Sequence, residues 1–145
     1  MFEITLVVGL PCSGKTTYCN HPKFSHCISF DDPFFHHKNP YGFIDDTCAW
    51  TLIQCLQQQR SLIINDPVLC DTPTRHRLIG WLIEHSTTYP DILRYFFEND
   101  PEQCIENSKL NPDKKVTEYI KDLSHRYSIP EPLSHSCILL PVYQP

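Results

Sequence analysis

Residues 7 to 16, Val-Val-Gly-Leu-Pro-Cys-Ser-Gly-Lys-Thr, constrain this chain more than any other stretch. Gly9, Gly14, Lys15 and Thr16 fall on the spacing G-x-x-x-x-G-K-[ST], directly after the apolar run Ile4-Thr5-Leu6-Val7-Val8. A loop of this kind, set between a strand and a helix, turns several backbone N–H groups toward one point at the positive end of the helix. That is what a polyphosphate needs. Lys15 is then the point charge for the β- and γ-phosphates, and the Thr16 hydroxyl is a ligand to the Mg²⁺ that accompanies the nucleotide. Cys12, Ser13 and Thr17 complete the candidate nucleotide-binding set with Gly9, Gly14, Lys15 and Thr16. The chain has only four glycines, and two stand at these positions. An ordinary glycine turn would leave Lys15-Thr16 unexplained.

The pattern beyond the loop alternates between strand and helix. A helix opens at Lys15 and runs to about Asn20; Cys27 to Phe30 reads as a short strand stopped by Asp31-Asp32-Pro33, because Pro33 cannot continue a ladder. A long loop through Phe43 follows, punctuated by Asn39-Pro40 and Tyr41-Gly42. Asp45 to Gln59 has helical periodicity, and Ser61 to Asn65 is a buried strand ended by Asp66-Pro67. Asp71-Thr72-Pro73 starts a helix that runs to about Ser86, with Pro73 in the first turn. Strands at Ile92–Phe97 and Cys137–Leu140 and helices at Pro101–Asn107 and Lys115–Tyr127 complete the set. The alternation implies an α/β fold: three layers, a parallel sheet of about five strands, and helices on both faces. A chain of 145 residues supports one domain, 1–145, with enough length to bury a core.

Charge and composition narrow the partners. The formal net charge of −5 speaks against a nucleic-acid binder with a wide basic face, but leaves room for a narrow basic channel at a strand end. No apolar run approaches the ~18 residues of a membrane span, and Met1-Phe2-Glu3-Ile4 lacks a basic leader region. The eight cysteines form no C-x-x-C pair and read as reduced thiols of a cytoplasmic or nuclear-type compartment. The histidines, including the adjacent His36-His37, show no metal-ligand spacing.

A phosphate cradle alone does not separate an ATPase, a GTPase and a kinase. Ligands of open parallel sheets gather at the carboxyl ends of the strands, where Asp31 and Asp32 end the second strand and Asp66 the third. Transfer of a phosphoryl group to an alcohol needs a carboxylate that accepts the hydroxyl proton, with cations to hold the charge. Asp31, at the tip of what is expected to be the strand next to the phosphate loop, is the candidate base. Asp66 suits either of two roles: holding Mg²⁺ through water, or organising the acceptor pocket.

These residues carry a resemblance. Gly9-Leu10-Pro11-Cys12-Ser13-Gly14-Lys15-Thr16, then Ser29-Phe30-Asp31-Asp32, then Leu62-Ile63-Ile64-Asn65-Asp66 and the helix with Arg75 and Arg77 resemble the successive motifs of the polynucleotide 5′-kinase family of P-loop kinases. The stretch from Cys104-Ile105-Glu106-Asn107-Ser108 through Lys114-Lys115-Val116 to Tyr127 is similar to that family's lid and following helix, placing a lid at about 105–127. The resemblance implies an ATP- and Mg²⁺-dependent phosphotransferase with Lys15 and Asp31 as catalytic residues and Asp66 at the acceptor site.

The chain departs from that family at three points. Cys12 stands where the family usually carries glycine; a thiol at a helix N-terminus is expected to have a lowered pKa, so alkylation of Cys12 should block nucleotide binding and ATP should protect it. Phe34 stands where the nucleic-acid kinases carry an arginine for the acceptor phosphate, so the acceptor site, read as Asp32, Phe34 and Asp66, either stacks a base or takes something other than a nucleotide. Lys109, Lys114 and Lys115 are the lid cations in place of an arginine, and lysine does not reproduce a bidentate contact. The acceptor is accordingly read as the 5′-hydroxyl of a polynucleotide, with a nucleoside, sugar or other small metabolite as the alternative. The nucleotide is ATP or GTP, and a non-catalytic nucleotide-binding regulator is the third reading.

Overall fold

The computed structural model describes residues 2–31, 44, 46–110, 114–131 and 133–145, with only the backbone at 46, 114 and 115. The chain alternates strand and helix as the pattern predicts: β1 (Glu3–Val8), α1 (Lys15–Cys19), β2 (Ile28–Asp31), α2 (Asp46–Gln57), β3 (Leu62–Asn65), α3 (Thr72–His85), β4 (Asp91–Phe97), α4 (Pro101–Ser108), α5 (Lys114–Arg126) and β5 (Cys137–Leu140). The five strands form one sheet in the order β2-β3-β1-β4-β5, every pair parallel.

That order corrects one expectation. β2 is not the neighbour of the strand that carries the phosphate loop, because β3 lies between them. The physical reason is in the side chains. β3 is Leu-Ile-Ile-Asn and buried throughout, which suits an inner position covered on both faces. β2 has Ser29 and Asp31 exposed and suits the edge. Asp31 is also the last residue of the ladder, paired in register with Asn65, rather than the first residue after it.

Even-numbered residues of the inner strands, Ile4, Leu6, Val8, Leu62 and Ile64, face the larger core with Leu52, Leu56, Leu78, Leu82, Ile120 and Leu123 from α2, α3 and α5. The opposite face carries Val7, Ile63, Tyr95 and Phe97 under α1 and the short turn Pro22–Phe24. Each fully buried leucine or isoleucine contributes about 1.5–3 kcal/mol. Ile120, Leu123 and Tyr127 therefore root the second half of the segment read as a lid in the core. None of the eight cysteines joins a disulfide. Among the described residues no helix is long and apolar enough to cross a membrane.

Two short 3₁₀ turns escaped the sequence reading, Pro22–Phe24 after α1 and Pro67–Cys70 between β3 and α3. The second is capped by Asp66, whose Oδ1 accepts the Val68 N–H at 2.9 Å. Asp71 then caps α3, accepting from Thr74 N at 3.3 Å.

Candidate active site

The loop between β1 and α1 is shaped by residues that tolerate no substitute of ordinary geometry. A Cβ on Gly9 would stand 2.6 Å from Ser13 Oγ and 2.9 Å from Phe97 Cβ. Gly14, the residue before α1, has φ +107°, and a Cβ there would meet Tyr143 at 2.9 Å. Cys12 also lies in the left-handed region, with φ 65°. Glycine adopts that backbone without strain, whereas a side chain there costs about 1 kcal/mol. The residue that departs from the resembled family thus sits where the backbone itself favours glycine.

Lys15 is 6% exposed, and its Nζ donates to Leu10 O at 2.7 Å, back across the loop. Thr16 and Thr17 are exposed at the start of α1, and the Ser13 hydroxyl is buried without a hydrogen-bond partner among the described residues. A cation, positive-φ backbone, exposed threonine hydroxyls and two glycines that leave no room for a Cβ fit an anionic phosphate chain with its Mg²⁺. The loop residues and Lys15 would hold the phosphates, and Thr16 the metal.

Lys15 is the centre on which the thiols of the site report. Its charge lowers the pKa of Cys12, Cys19, Cys70 and Cys104, yet burial dominates at each and pushes all four up: Cys19 to about 11, Cys70 and Cys104 to about 12. Asp31 also acts on Cys19, and Asp66 on Cys70. Both candidate carboxylates stand at the carboxyl edge of the sheet that also carries the loop with Lys15. The expected lowering at Cys12 is corrected by the same balance: although Cys12 is exposed, the protein around its thiol removes more hydration than Lys15 repays.

The two carboxylates are held differently. Asp31 is exposed; Oδ1 accepts from Asn65 Nδ2 at 3.1 Å, and Oδ2 has no partner among the described residues. Asp66 is 5% exposed and commits Oδ1 to the turn that follows it. Asp32 and Phe34 lie outside the described residues, as do the side chains of Lys114 and Lys115. Lys109 closes α4 in an exposed pair with Glu106 at 2.8 Å. Arg75, part of the motif series, is turned inward: Nη1 donates to Leu69 O at 2.8 Å and Nη2 to Ser128 O at 3.0 Å. It braces the turn after β3 and the segment after α5.

Sequence reasoning missed the roof of the loop. Asn107 Nδ2, on the last turn of α4, donates to Cys12 O at 3.0 Å and to Tyr143 O at 2.7 Å, while Tyr143 N donates to Ser13 O at 3.0 Å. One amide thereby ties the phosphate loop to the segment after β5. The Tyr143 ring, 55% exposed, separates two hollows beside the loop. One, of about 280 Å³, is lined by Thr16, Thr17, Asn107 and Leu110; the other, of about 410 Å³, is lined by Tyr18, Phe97, Leu140 and Val142. Asn107 is in the quoted lid motif, but nothing local in the sequence announces a contact across 95 positions.

Comparison with known proteins places this arrangement. No family model matches the chain. Over 133 residues it is 30% identical to an uncharacterized protein of Acanthamoeba polyphaga mimivirus, a match that spans 88% of this chain and 87% of that one. The chain belongs to that protein's family. Among solved structures, a gluconokinase from Sinorhizobium meliloti 1021 superposes with a TM-score of 0.61 at 12% identity, covering 99% of this chain and 85% of its own. The chain thus has the P-loop kinase fold, a five-stranded parallel sheet with the loop that carries Lys15 at its carboxyl edge.

Proposed function

We propose that this chain is a single-domain P-loop kinase that moves the γ-phosphate of ATP to a hydroxyl group, with Mg²⁺. What supports the reading is the placement of Asp31 at the same carboxyl edge of the sheet as the loop that presents Lys15, with Asn65 holding one Asp31 oxygen at 3.1 Å and leaving the other for an acceptor. ATP supplies the transferable phosphoryl group. Lys15 and the loop amides bind and orient the phosphates, Thr16 takes the metal, and Asp31 removes the proton from the acceptor hydroxyl as it attacks. Asp66 orders the strand end beside Asp31. The hollows on either side of Tyr143 offer the nucleotide base an aromatic and apolar surface next to its phosphates.

A small hydroxylated molecule is the acceptor that the net charge favours, since a strand end brings phosphates into a chain of charge −5. The gluconokinase with the same fold points the same way. The motif series shared with polynucleotide 5′-kinases supports the second reading, a 5′-hydroxyl strand end. Labelled ATP with Mg²⁺, incubated with sugars, sugar acids, nucleosides and 5′-hydroxyl oligonucleotides, separates the two. Label on a small molecule, insensitive to salt, supports the first; label on an oligonucleotide, lost as salt rises, supports the second. ATP binding with no transfer to any acceptor would sink the kinase reading in favour of a regulator that only binds.

A further inference from the structure

On β4, Ile92, Arg94 and Phe96 share the face that looks into the larger core. Ile92 is 8% exposed and Phe96 is fully buried, so Arg94 places a charge in an apolar row. It is half-buried, and its guanidinium makes one long contact, Nη1 to Ile92 O at 3.5 Å. Among the described residues no carboxylate comes within 4.0 Å of it. Arg75, nearby under the same helix, makes a contrast: two backbone carbonyls satisfy it and it stacks on Phe96 at 5.1 Å. Burial lowers the Arg75 pKa, and the like charge of Arg94 adds to that lowering.

Two cavities meet at Arg94 and Ile79. The outer one, about 490 Å³, is walled by Ile83, Tyr89, Pro90 and His135, with Glu3 and Asp91 also on its lining; the inner one, about 290 Å³, reaches Arg75, His76, Phe96 and Pro130. An unpaired guanidinium in a half-buried cleft is costly to keep unless something compensates it. The outer volume lies within the range of small-molecule sites. Glu3 and Asp91 disfavour a ligand of high negative charge, while the isoleucines and Tyr89 favour an apolar body.

We infer that this cleft, between α3 and the β4–β5 edge, is a second ligand site for a compact organic anion, an oxyanion on an apolar body gripped by Arg94. It stands apart from the phosphate loop and does not depend on the kinase reading. A carboxylate and a phosphate monoester share this chemistry, so benzoate and phenyl phosphate are the probes, with benzyl alcohol as the neutral control.

Calorimetric titration is done on the full chain in saturating MgATP, so that the phosphate loop does not take the probes. At least one anion is expected to bind where benzyl alcohol does not, and Arg94→Met is expected to weaken it by at least about tenfold, as the loss of charge-assisted hydrogen bonds requires. Ile79→Trp, which fills the junction without touching the charge, is expected to block the same anion. Without ligand, Arg94→Met should melt no lower than the wild type, because a methionine there relieves an unpaired cation. The inference is overturned if neither anion binds, if Arg94→Met binds it as tightly as the wild type, or if Arg94→Met melts clearly lower because the arginine serves the fold.

Discussion

Asp31 ends β2 at the sheet's exposed edge, and Asp66 follows β3 in its buried interior. Both carboxylates stand at the carboxyl edge, yet Asp31 accepts one described hydrogen bond and Asp66 caps a turn. The difference teaches which acid the chemistry can use. A carboxylate that the fold needs for its own backbone has little freedom to gain and lose a proton during turnover, whereas a carboxylate held at one oxygen and open at the other has a position and a reactive lone pair. Asn65 makes the distinction concrete, since it lies on the interior strand and reaches across to fix the edge aspartate.

The sharpest way to break this comparison is to remove each acid in turn. Asp31→Asn is expected to lower phosphoryl transfer by about 10²–10⁴-fold, the usual contribution of a general base, while changing stability by less than about 0.5 kcal/mol. Denaturant unfolding of the same variant checks the second half. Asp66→Ala is expected to do the reverse in stability, costing about 1–2 kcal/mol through the lost cap, with Asp66→Asn recovering part of it. Should Asp31→Asn prove the more destabilising of the two, the assignment of roles is wrong.

Asn65→Ala tests the link between them. Its loss leaves Asp31 without its one described hydrogen bond, and turnover is expected to fall roughly tenfold, in line with a hydrogen bond to a charged group. Stability should barely change, because Asn65 Oδ1 is already buried without a partner. A lowered kcat with an unchanged nucleotide KM would mark Asn65 as a positioning residue.

Much of this was legible because it is local. A phosphate loop is specified by the backbone it requires, so Gly9, Gly14, Lys15 and Thr16 announce it from spacing alone. Pro67 and Pro73 punctuate the elements where a missing N–H must be accommodated. The strand order was not legible, since it turns on which strand is apolar on both faces, and the neighbour of β1 proved to be β3. The Cys12 pKa went the wrong way because a sequence shows the nearby lysine and not the packing around the sulfur. In the sequence Arg75 is only one residue of the motif series, and its role as a brace for the Leu69 and Ser128 carbonyls was not legible. The Asn107–Cys12–Tyr143 tie joins three distant segments through one amide and leaves no trace in periodicity.

Two smaller effects sharpen the contrast between groups the fold encloses and groups it leaves at the rim. Cys70 and Cys104 are buried near Lys15 and hold their protons to about pH 12 in the folded chain. Once unfolded they ionise near pH 8.5, so this stability is present below that pH and is lost as pH rises from there toward 12, at up to about 1.4 kcal/mol per unit for each thiol. Thermal melting between pH 8 and 10.5 is expected to fall accordingly, and Cys70→Ala to flatten the slope. At the rim, Cys12→Gly is expected to stabilise the chain by about 1 kcal/mol by relieving its φ of 65°, measured as a shift in the urea midpoint. In the wild type, Cys12 is expected to alkylate more slowly at pH 7 than an unstructured cysteine peptide and to speed up as pH rises, in keeping with its raised pKa.

The most direct test of the central claim measures MgATP affinity and single-turnover transfer of labelled phosphate side by side, in the wild type and in Asp31→Asn, against the best acceptor from the panel. The account expects equal affinity for MgATP in both proteins and transfer lost by two or more orders of magnitude in the variant. Transfer that survives the substitution would contradict it, because Asp31 would then not be the base.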